Sequence, residues 1–206
     1  MASGATRAID TAPWHHAVTK ILAFSEEKGV RIVGVIGDRP GVGVSLLCRQ
    51  LALSYSRSGA NALIVDASRV DKTVAPSVEA ANKPLDLLGM ATAIETGLAQ
   101  IDLAEHSDSL PASRDELRVI FDQAAASGVS IIVDLPAIHD GTEYDTRIAG
   151  LVGGACQLVY LVSLSGLIKR ADLRSCVERC KFNHIPIGGI IVNDWKEPAA
   201  WLATEW

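Results

Sequence analysis

A glycine-rich loop, Gly37–Gly43, follows an apolar run and precedes a helical pattern that begins at Ser45. In such a strand–loop–helix unit, backbone N–H groups and the helix dipole attract a phosphate group. Against the pattern G-x-x-x-x-G-K-[ST], Gly37 and Gly43 occupy the glycine positions, and Ser45 the position of the hydroxyl that binds Mg²⁺. Val44 occupies the lysine position. The residues therefore predict a phosphate-binding loop without its principal positive charge.

Two aspartates end apolar runs that have the composition of buried β-strands. Asp66 follows Ala62–Val65, and Asp134 follows the β-branched run Val129–Val133. A carboxylate that ends a buried strand is costly without a partner, so it usually has a function. Because ligands of open α/β sheets bind at the carboxyl ends of the strands, Asp66 lies where a ligand is expected. For Asp134 we predict that it holds Mg²⁺, directly or through water.

Strand and helix patterns alternate along the chain, and these elements must position the candidate side chains. Strands are predicted at Arg31–Ile36, Ala62–Val65, Val129–Val133, Gln157–Ser163 and Ile187–Val192. Helices are predicted at Trp14–Ser25, Ser45–Ser58, Leu85–Gln100, Ser113–Ala126, Tyr144–Val152 and Leu167–Cys180. The unit around the glycine-rich loop indicates a parallel pair of strands with a right-handed crossover. The alternation predicts an α/β fold, a three-layer sandwich of a mainly parallel sheet with helices on both faces.

Length and composition restrict the class of protein. The 206 residues predict a single domain, with a loose lead-in at 1–13 and a tryptophan-containing tail at 195–206. The net charge of −5 argues against a nucleic-acid partner. No apolar run approaches the ~20 residues of a membrane helix, and the N-terminus has no signal pattern, so we expect a cytoplasmic protein without direct membrane insertion.

The four cysteines are too sparse for a disulfide framework, which fits a reducing compartment. Cys176 and Cys180 are four residues apart in a helical pattern and can share one face. No further cysteine or histidine pair lies nearby, so we expect semi-buried thiols there and not a zinc site.

Three segments resemble, in order and spacing, the motifs of one family. GVIGDRPGVGVSLL, ALIVDASR and IIVDLPAI resemble the Walker A, Walker A′ and Walker B segments of bacterial tyrosine kinases. Those kinases belong to a wider group of partition and division-site ATPases with a deviant phosphate loop. Residues 155–194 resemble the last strand–helix–strand unit of the family. The resemblance covers most of residues 30–194 and implies the P-loop NTPase fold.

The resemblance also implies roles for individual residues. ATP or ADP with Mg²⁺ would be the cofactor, bound by Gly37, Arg39, Pro40, Gly41, Val42, Gly43, Val44, Ser45, Leu46 and Asn193. Asn193 falls where the family places an asparagine beside the adenine. The metal would be held by Ser45, Asp66 and Asp134, and the two aspartates would be catalytic if the protein is active.

The chain departs from the family in four places. Val44 replaces the lysine that bridges the β- and γ-phosphates, and Ser68 replaces the second aspartate of the Walker A′ segment. Arg39 lies where the partition ATPases carry their signature lysine. The tyrosine kinases end in a tyrosine cluster, whereas the tail DWKEPAAWLATEW contains no tyrosine. Autophosphorylation of the tail on tyrosine is therefore excluded.

These observations favour a kinase-like pseudo-enzyme, a cytosolic regulatory or scaffolding partner in exopolysaccharide or capsule synthesis and export. By resemblance, its partner would be the cytoplasmic region of a membrane polysaccharide co-polymerase or export protein, and it could form a homo-oligomer. The first alternative is an active Mg-ATP-dependent ATPase or tyrosine kinase that uses a relocated basic residue, Arg39 or Arg69. The weaker alternative is a partition-type positioning ATPase.

The glycine-rich loop and the tail tryptophans also have purely structural interpretations. The loop could persist because the fold needs a tight turn, with Val44 filling the space of a nucleotide, although Ser45, Asp66 and Asp134 would then be unexplained. The tail tryptophans, Trp195, Trp201 and Trp206, could cap an apolar groove of the same domain or dock on a partner. A membrane anchor is the least favoured, because the tail is short and its charges are mainly acidic.

Overall fold

The computed structural model describes residues 14–70, 85–138 and 143–193, so the predicted lead-in at 1–13 and tail at 195–206 lie outside the described residues. The helices are α1 (His15–Lys28), α2 (Val44–Arg57), α3 (Leu87–Met90), α4 (Arg114–Ala126), α5 (Glu143–Ala155) and α6 (Arg170–Phe182). The strands are β1 (Ile32–Gly37), β2 (Asn61–Asp66), β3 (Thr92–Glu95), β4 (Leu98–Asp102), β5 (Val129–Asp134), β6 (Leu158–Leu164) and β7 (Ile187–Asn193).

One sheet contains the seven strands of the described chain, in the order β3-β4-β2-β5-β1-β6-β7. Every pairing is parallel except that of β3 with β4. The first two strands are parallel as predicted, but they are not neighbours, because β5 pairs with both of them. The β-branched side chains of β5 are buried on both faces, which favours a central place in the sheet. This insertion brings the end of β5 beside the end of β2.

The helix predicted at Leu85–Gln100 is wrong. The chain forms only the four-residue α3, whose first turn is capped by the Asp86 side chain, and then the antiparallel strands β3 and β4. Gly97 makes the turn between them in the left-handed conformation, with φ at 75°. The apolar spacing of this stretch fits a helix, but β4 gains a parallel neighbour in β2 and buries Leu98 and Ile101. Tertiary pairing therefore overrides the local pattern.

Helices cover both faces of the sheet, which confirms the predicted three-layer sandwich. Successive β1 residues point to opposite faces, so Ile32 contributes to one hydrophobic core and Val33 to the other. The first core contains buried side chains of α4, α5 and α6, and the second contains those of α1 and α2. Side chains such as Phe121 in the first core and Leu51 in the second are fully buried. The sheet is therefore held rigidly enough to position side chains at its carboxyl edge.

The predicted start of the helix at Ser113 is confirmed. Ser113 caps α4, since its hydroxyl accepts a hydrogen bond from the Glu116 N–H at 3.2 Å. Cys176 and Cys180 both point from α6 into the first core and are fully buried, more than the semi-buried state predicted. No helix of the described residues has the length and apolar composition of a membrane span.

Candidate functional site

The glycine-rich loop joins β1 to α2, as the sequence predicts. Gly41 and Gly43 both adopt the left-handed conformation, with φ at 82° and 97°. Such glycines let successive backbone N–H groups turn toward one point, which is how a loop of this kind receives an anion. The N-terminus of α2 follows at Val44, and its unpaired N–H groups add to the same positive potential.

Two residues outside the loop hold it in place. The Asn193 side-chain amide donates a hydrogen bond to the Val42 carbonyl at 3.2 Å, while the Val42 side chain is fully buried in the second core. The Trp14 indole lies so close to Gly43 that a Cβ there would approach it to 2.6 Å. Trp14 itself is buried at the start of α1. The sequence predicted Trp14 only as the first residue of the helix Trp14–Ser25 and did not reveal this contact, because nothing local links positions 14 and 43.

A cleft of about 400 Å³ opens beside the loop. Its walls come from the loop and from the carboxyl ends of β2 and β5. The lining residues are Arg39, Pro40, Gly41, Gly43, Val44, Ser45, Leu46, Ser68, Asp134, Leu135, Pro136 and Ala137. Most of the predicted nucleotide-binding residues therefore line one cleft. Gly37 ends β1 beneath the loop, and Val42 and Asn193 anchor the loop from outside the cleft.

Val44 lines the cleft at the position of the missing lysine. Arg39 is the only cationic residue among those that line the cleft in the described chain. Its Nε donates to Asp38 Oδ2 at 3.2 Å, and Asp38 is fully buried. The pair offsets part of the arginine charge, so the cleft is less positive than a loop with a free lysine would make it.

Asp134 is the buried carboxylate of the cleft. It ends β5 and is only 4% exposed, and its Oδ1 has no hydrogen-bond partner in the described chain. Burial raises the pKa of Asp134 to about 6; the Asp66 carboxylate acts in the same direction, whereas the Ser45 hydroxyl and the Arg69 guanidinium lower it. An unsatisfied buried carboxylate oxygen beside a hydroxyl fits a hard cation such as Mg²⁺, which uses one or two carboxylates together with phosphate oxygens.

Asp66 lies beside Asp134, because the two are register partners in the β2–β5 pair. Both Asp66 oxygens are already engaged. Oδ1 accepts hydrogen bonds from the Ser68 N–H at 3.0 Å and hydroxyl at 2.6 Å, and Oδ2 accepts one from Arg69 at 3.3 Å. Arg69 also donates to Asp102 Oδ2 at 3.2 Å. Of the three predicted metal ligands, Ser45 and Asp134 line the cleft, whereas Asp66 faces an arginine and a serine.

Asp102 was not predicted, although it ends β4 as Asp66 ends β2, and the two are register partners. Because residues 85–100 were predicted to form a helix, the end of a strand at Asp102 was not expected. Arg69 therefore lies between two carboxylates and outside the cleft, so of the two arginines considered as relocated charges only Arg39 lines it.

The fold is shared with solved kinase and ATPase structures. The kinase domain of the Escherichia coli tyrosine kinase ETK matches with a TM-score of 0.67 at 21% identity, over 89% of this chain and 75% of that chain. The MinD cell division protein of Aquifex aeolicus matches with a TM-score of 0.54 at 15% identity, over 84% of this chain and 73% of that chain. Cobyrinic acid a,c-diamide synthase from Mycobacterium smegmatis, solved with an ATP analogue and magnesium, matches with a TM-score of 0.54 at 14% identity, over 78% of this chain and 72% of that chain.

These likenesses confirm the predicted P-loop NTPase fold and its similarity to bacterial tyrosine kinase domains and division-site ATPases. A scan against models of protein families finds no match, and a comparison with curated proteins finds none either.

Proposed function

We propose that this chain is a kinase-like P-loop protein that has lost efficient phosphoryl transfer and acts as a regulatory or scaffolding partner in exopolysaccharide or capsule synthesis and export. The observation that carries the proposal is Val44, which lines the cleft where the family has its phosphate-bridging lysine. One charge pair at ~4 Å and an effective dielectric of ~20 is worth roughly 4 kcal/mol, or on the order of 10²–10³-fold. The paired Arg39 and Arg69 do not restore a free charge at that position.

The proposed ligand is ATP or ADP with Mg²⁺, bound weakly. Backbone N–H groups of the loop and of the first turn of α2 would receive the phosphates, and Ser45 and Asp134 would hold the metal. Mg²⁺, when bound, would neutralise charge on the phosphate oxygens. The support for this ligand is the unsatisfied Asp134 Oδ1 at the cleft and the shape of the loop.

The proposed partner is the cytoplasmic region of a membrane polysaccharide co-polymerase or export protein. The support is the resemblance of the three motifs and of the fold to bacterial tyrosine kinases. Residues 194–206 contain no tyrosine, so this segment offers no tyrosine hydroxyl for phosphorylation, which favours a structural or regulatory contribution.

The test is a calorimetric titration of Mg-ATP and Mg-ADP into the wild type and into Val44→Lys. Val119→Lys is the matched control, because Val119 is 54% exposed on α4 and does not line the cleft. We expect Val44→Lys to bind at least tenfold more tightly than the wild type, and Val119→Lys to equal the wild type. Phosphoryl transfer by the wild-type protein that Asp134→Ala abolishes would contradict the proposal.

A second candidate is an active ATPase or kinase in which Arg39 supplies the missing charge. It is favoured by one observation, that Arg39 lines the cleft next to the loop. Under this alternative, Mg-ATP hydrolysis by the wild type would be measurable and Arg39→Ala would remove it. Arg118→Ala, which changes an exposed arginine of α4 outside the cleft, would leave hydrolysis unchanged. An inactive wild type excludes this candidate.

A further inference from the structure

A second concavity, which we call the α1/β7 groove, lies between α1 and the strands β6 and β7. It has a volume of about 670 Å³ and is lined by Trp14, Lys20, Phe24, Tyr160, Ile191 and Asn193, among others. Among the described residues none lines both this groove and the phosphate cleft, so the two are separate. Apart from Asn193, which the family resemblance places beside the adenine, the lining residues have no role in the proposed function.

The groove presents apolar surface along an open sheet edge. Among the described strands β7 pairs only with β6, so its other edge has no strand partner. Phe24 is 40% exposed on the helix side of the groove, and Val192 is 59% exposed on the strand side. Gly189 also lines the groove, and a Cβ there would approach the Tyr160 ring, which lines it too, to 3.2 Å. Large exposed apolar side chains gathered in a concavity mark a surface that is covered by something else.

The segment that follows β7 has the composition to cover it. Residues 194–206, DWKEPAAWLATEW, contain three of the chain's four tryptophans. The segment starts directly after Asn193, which itself lines the groove. Trp201 is eight residues beyond Asn193 and can be as far as about 26 Å from it. The part of β7 that lines the groove is about 20 Å long. The segment can therefore reach every part of the groove within its own chain.

The charges of the segment and of the groove are complementary. The described residues that line the groove include Lys20 and His16 but no aspartate or glutamate. The segment carries three acidic residues, Asp194, Glu197 and Glu205, against the single Lys196. Covalent attachment gives the segment an effective concentration in the millimolar range at the groove, so modest contacts are enough.

We propose that residues 194–206 of this chain dock into the α1/β7 groove, with their tryptophan side chains on the apolar lining and their carboxylates near Lys20. The occupant is a segment of the same molecule, tethered at Asn193.

Hydrogen exchange on the full chain, followed by mass spectrometry, tests the proposal. We expect the amides of residues 200–204 to exchange at least tenfold more slowly than in a free peptide of the same sequence, and Phe24→Glu to abolish this protection. Phe182→Glu is the matched control, because Phe182 is 84% exposed on α6 and does not line the groove. This control is expected to keep the protection. Lys20→Glu, a change at an exposed position on α1, is expected to reduce it.

Three results would overturn the proposal. The first is exchange of residues 200–204 at the free-peptide rate in the wild type. The second is equal protection in the wild type, Phe24→Glu and Lys20→Glu, which would place the segment elsewhere. The third is protection that disappears on dilution, which would make a second copy the occupant. If Phe24→Glu fails to fold, Trp201→Ser beside the wild type gives the same comparison from the other side of the contact.

Discussion

At the scale of single residues, Asp134 determines how the candidate site responds to pH. It is buried at the end of β5, it lines the cleft, and its Oδ1 has no partner in the described chain. Its pKa of about 6 lies above the ordinary value of 3.8, and the first cause is burial. The folded protein therefore binds more protons than the unfolded chain between these two pH values.

The resulting prediction concerns stability. Because the folded-state pKa is raised, the free energy of unfolding should fall as pH rises from about 4 to 6, by roughly 3 kcal/mol in total, and stay low above pH 6. Asp134→Asn removes the charge and should be more stable than the wild type at pH 7.5, with the difference shrinking toward pH 4. Urea unfolding across this range measures it. Asp122→Asn, at an exposed position, is the control. Its free energy of unfolding should differ from that of the wild type by the same amount at every pH.

The same carboxylate sets the pH dependence of metal binding. Mg²⁺ needs the ionised form of Asp134, so binding of Mg-ADP to Val44→Lys should strengthen from pH 5 to 7 and level off above. Calorimetry at several pH values measures this. Binding to Val44→Lys that is unchanged across that range would show that Asp134 does not hold the metal.

At the scale of elements, the loop between β1 and α2 is fixed by α1 and by the end of β7. Trp14 contacts Gly43 from one side, and the Asn193 side-chain amide donates a hydrogen bond to the Val42 carbonyl. Both contacts are made by protein groups alone and do not require a bound phosphate. The loop is thus held in its bent form by the protein itself, which lowers the ordering cost of any anion that binds there.

Substitutions at two glycines of the loop distinguish the cost of backbone strain from the cost of crowding Trp14. Gly41→Ala introduces a side chain at φ 82°, and no atom of the described residues lies within 4 Å of it, so only strain of about 1–2 kcal/mol is expected. Gly43→Ala adds the approach to Trp14 and should lower the free energy of unfolding by about 1–3 kcal/mol more. Thermal or urea unfolding compares the two. Equal losses would mean that Trp14 moves aside without cost.

At the scale of the whole molecule, two packed faces shield the cysteines. The side chains of Cys48, Cys156, Cys176 and Cys180 are all buried. Burial raises the pKa of Cys180 to about 12 and that of Cys156 further still, so thiolate is scarce. We expect all four to resist an aromatic disulfide reagent in the native protein and to react in urea. Fast reaction of even one thiol under native conditions would contradict the packing of that face.

The charge of the whole molecule gives a prediction about partners. With a net charge of −5, the chain should show no shift of duplex DNA in a gel at low salt, with or without Mg-ATP. Low salt is the demanding condition, because phosphate contacts are strongest there. A shift that salt weakens steeply would revive the partition-type alternative.

What the sequence by itself determined is local. Glycines at fixed spacing, a hydroxyl after Val44 and aspartates at the ends of apolar runs predict the loop, the cleft and the parallel sheet, because such positions follow from backbone geometry and strand periodicity. The tertiary structure decided which of these groups are free to bind. Ser68 and Arg69 engage Asp66, Arg39 is paired with Asp38, and Trp14 lies on Gly43.

The strand order, with β5 between β1 and β2, and the replacement of a predicted helix by β3 and β4 were likewise decided by contacts between distant segments. Pairing and packing energies depend on neighbours that lie far away in sequence. For that reason a periodic pattern predicts that an element forms but does not determine what its side chains contact.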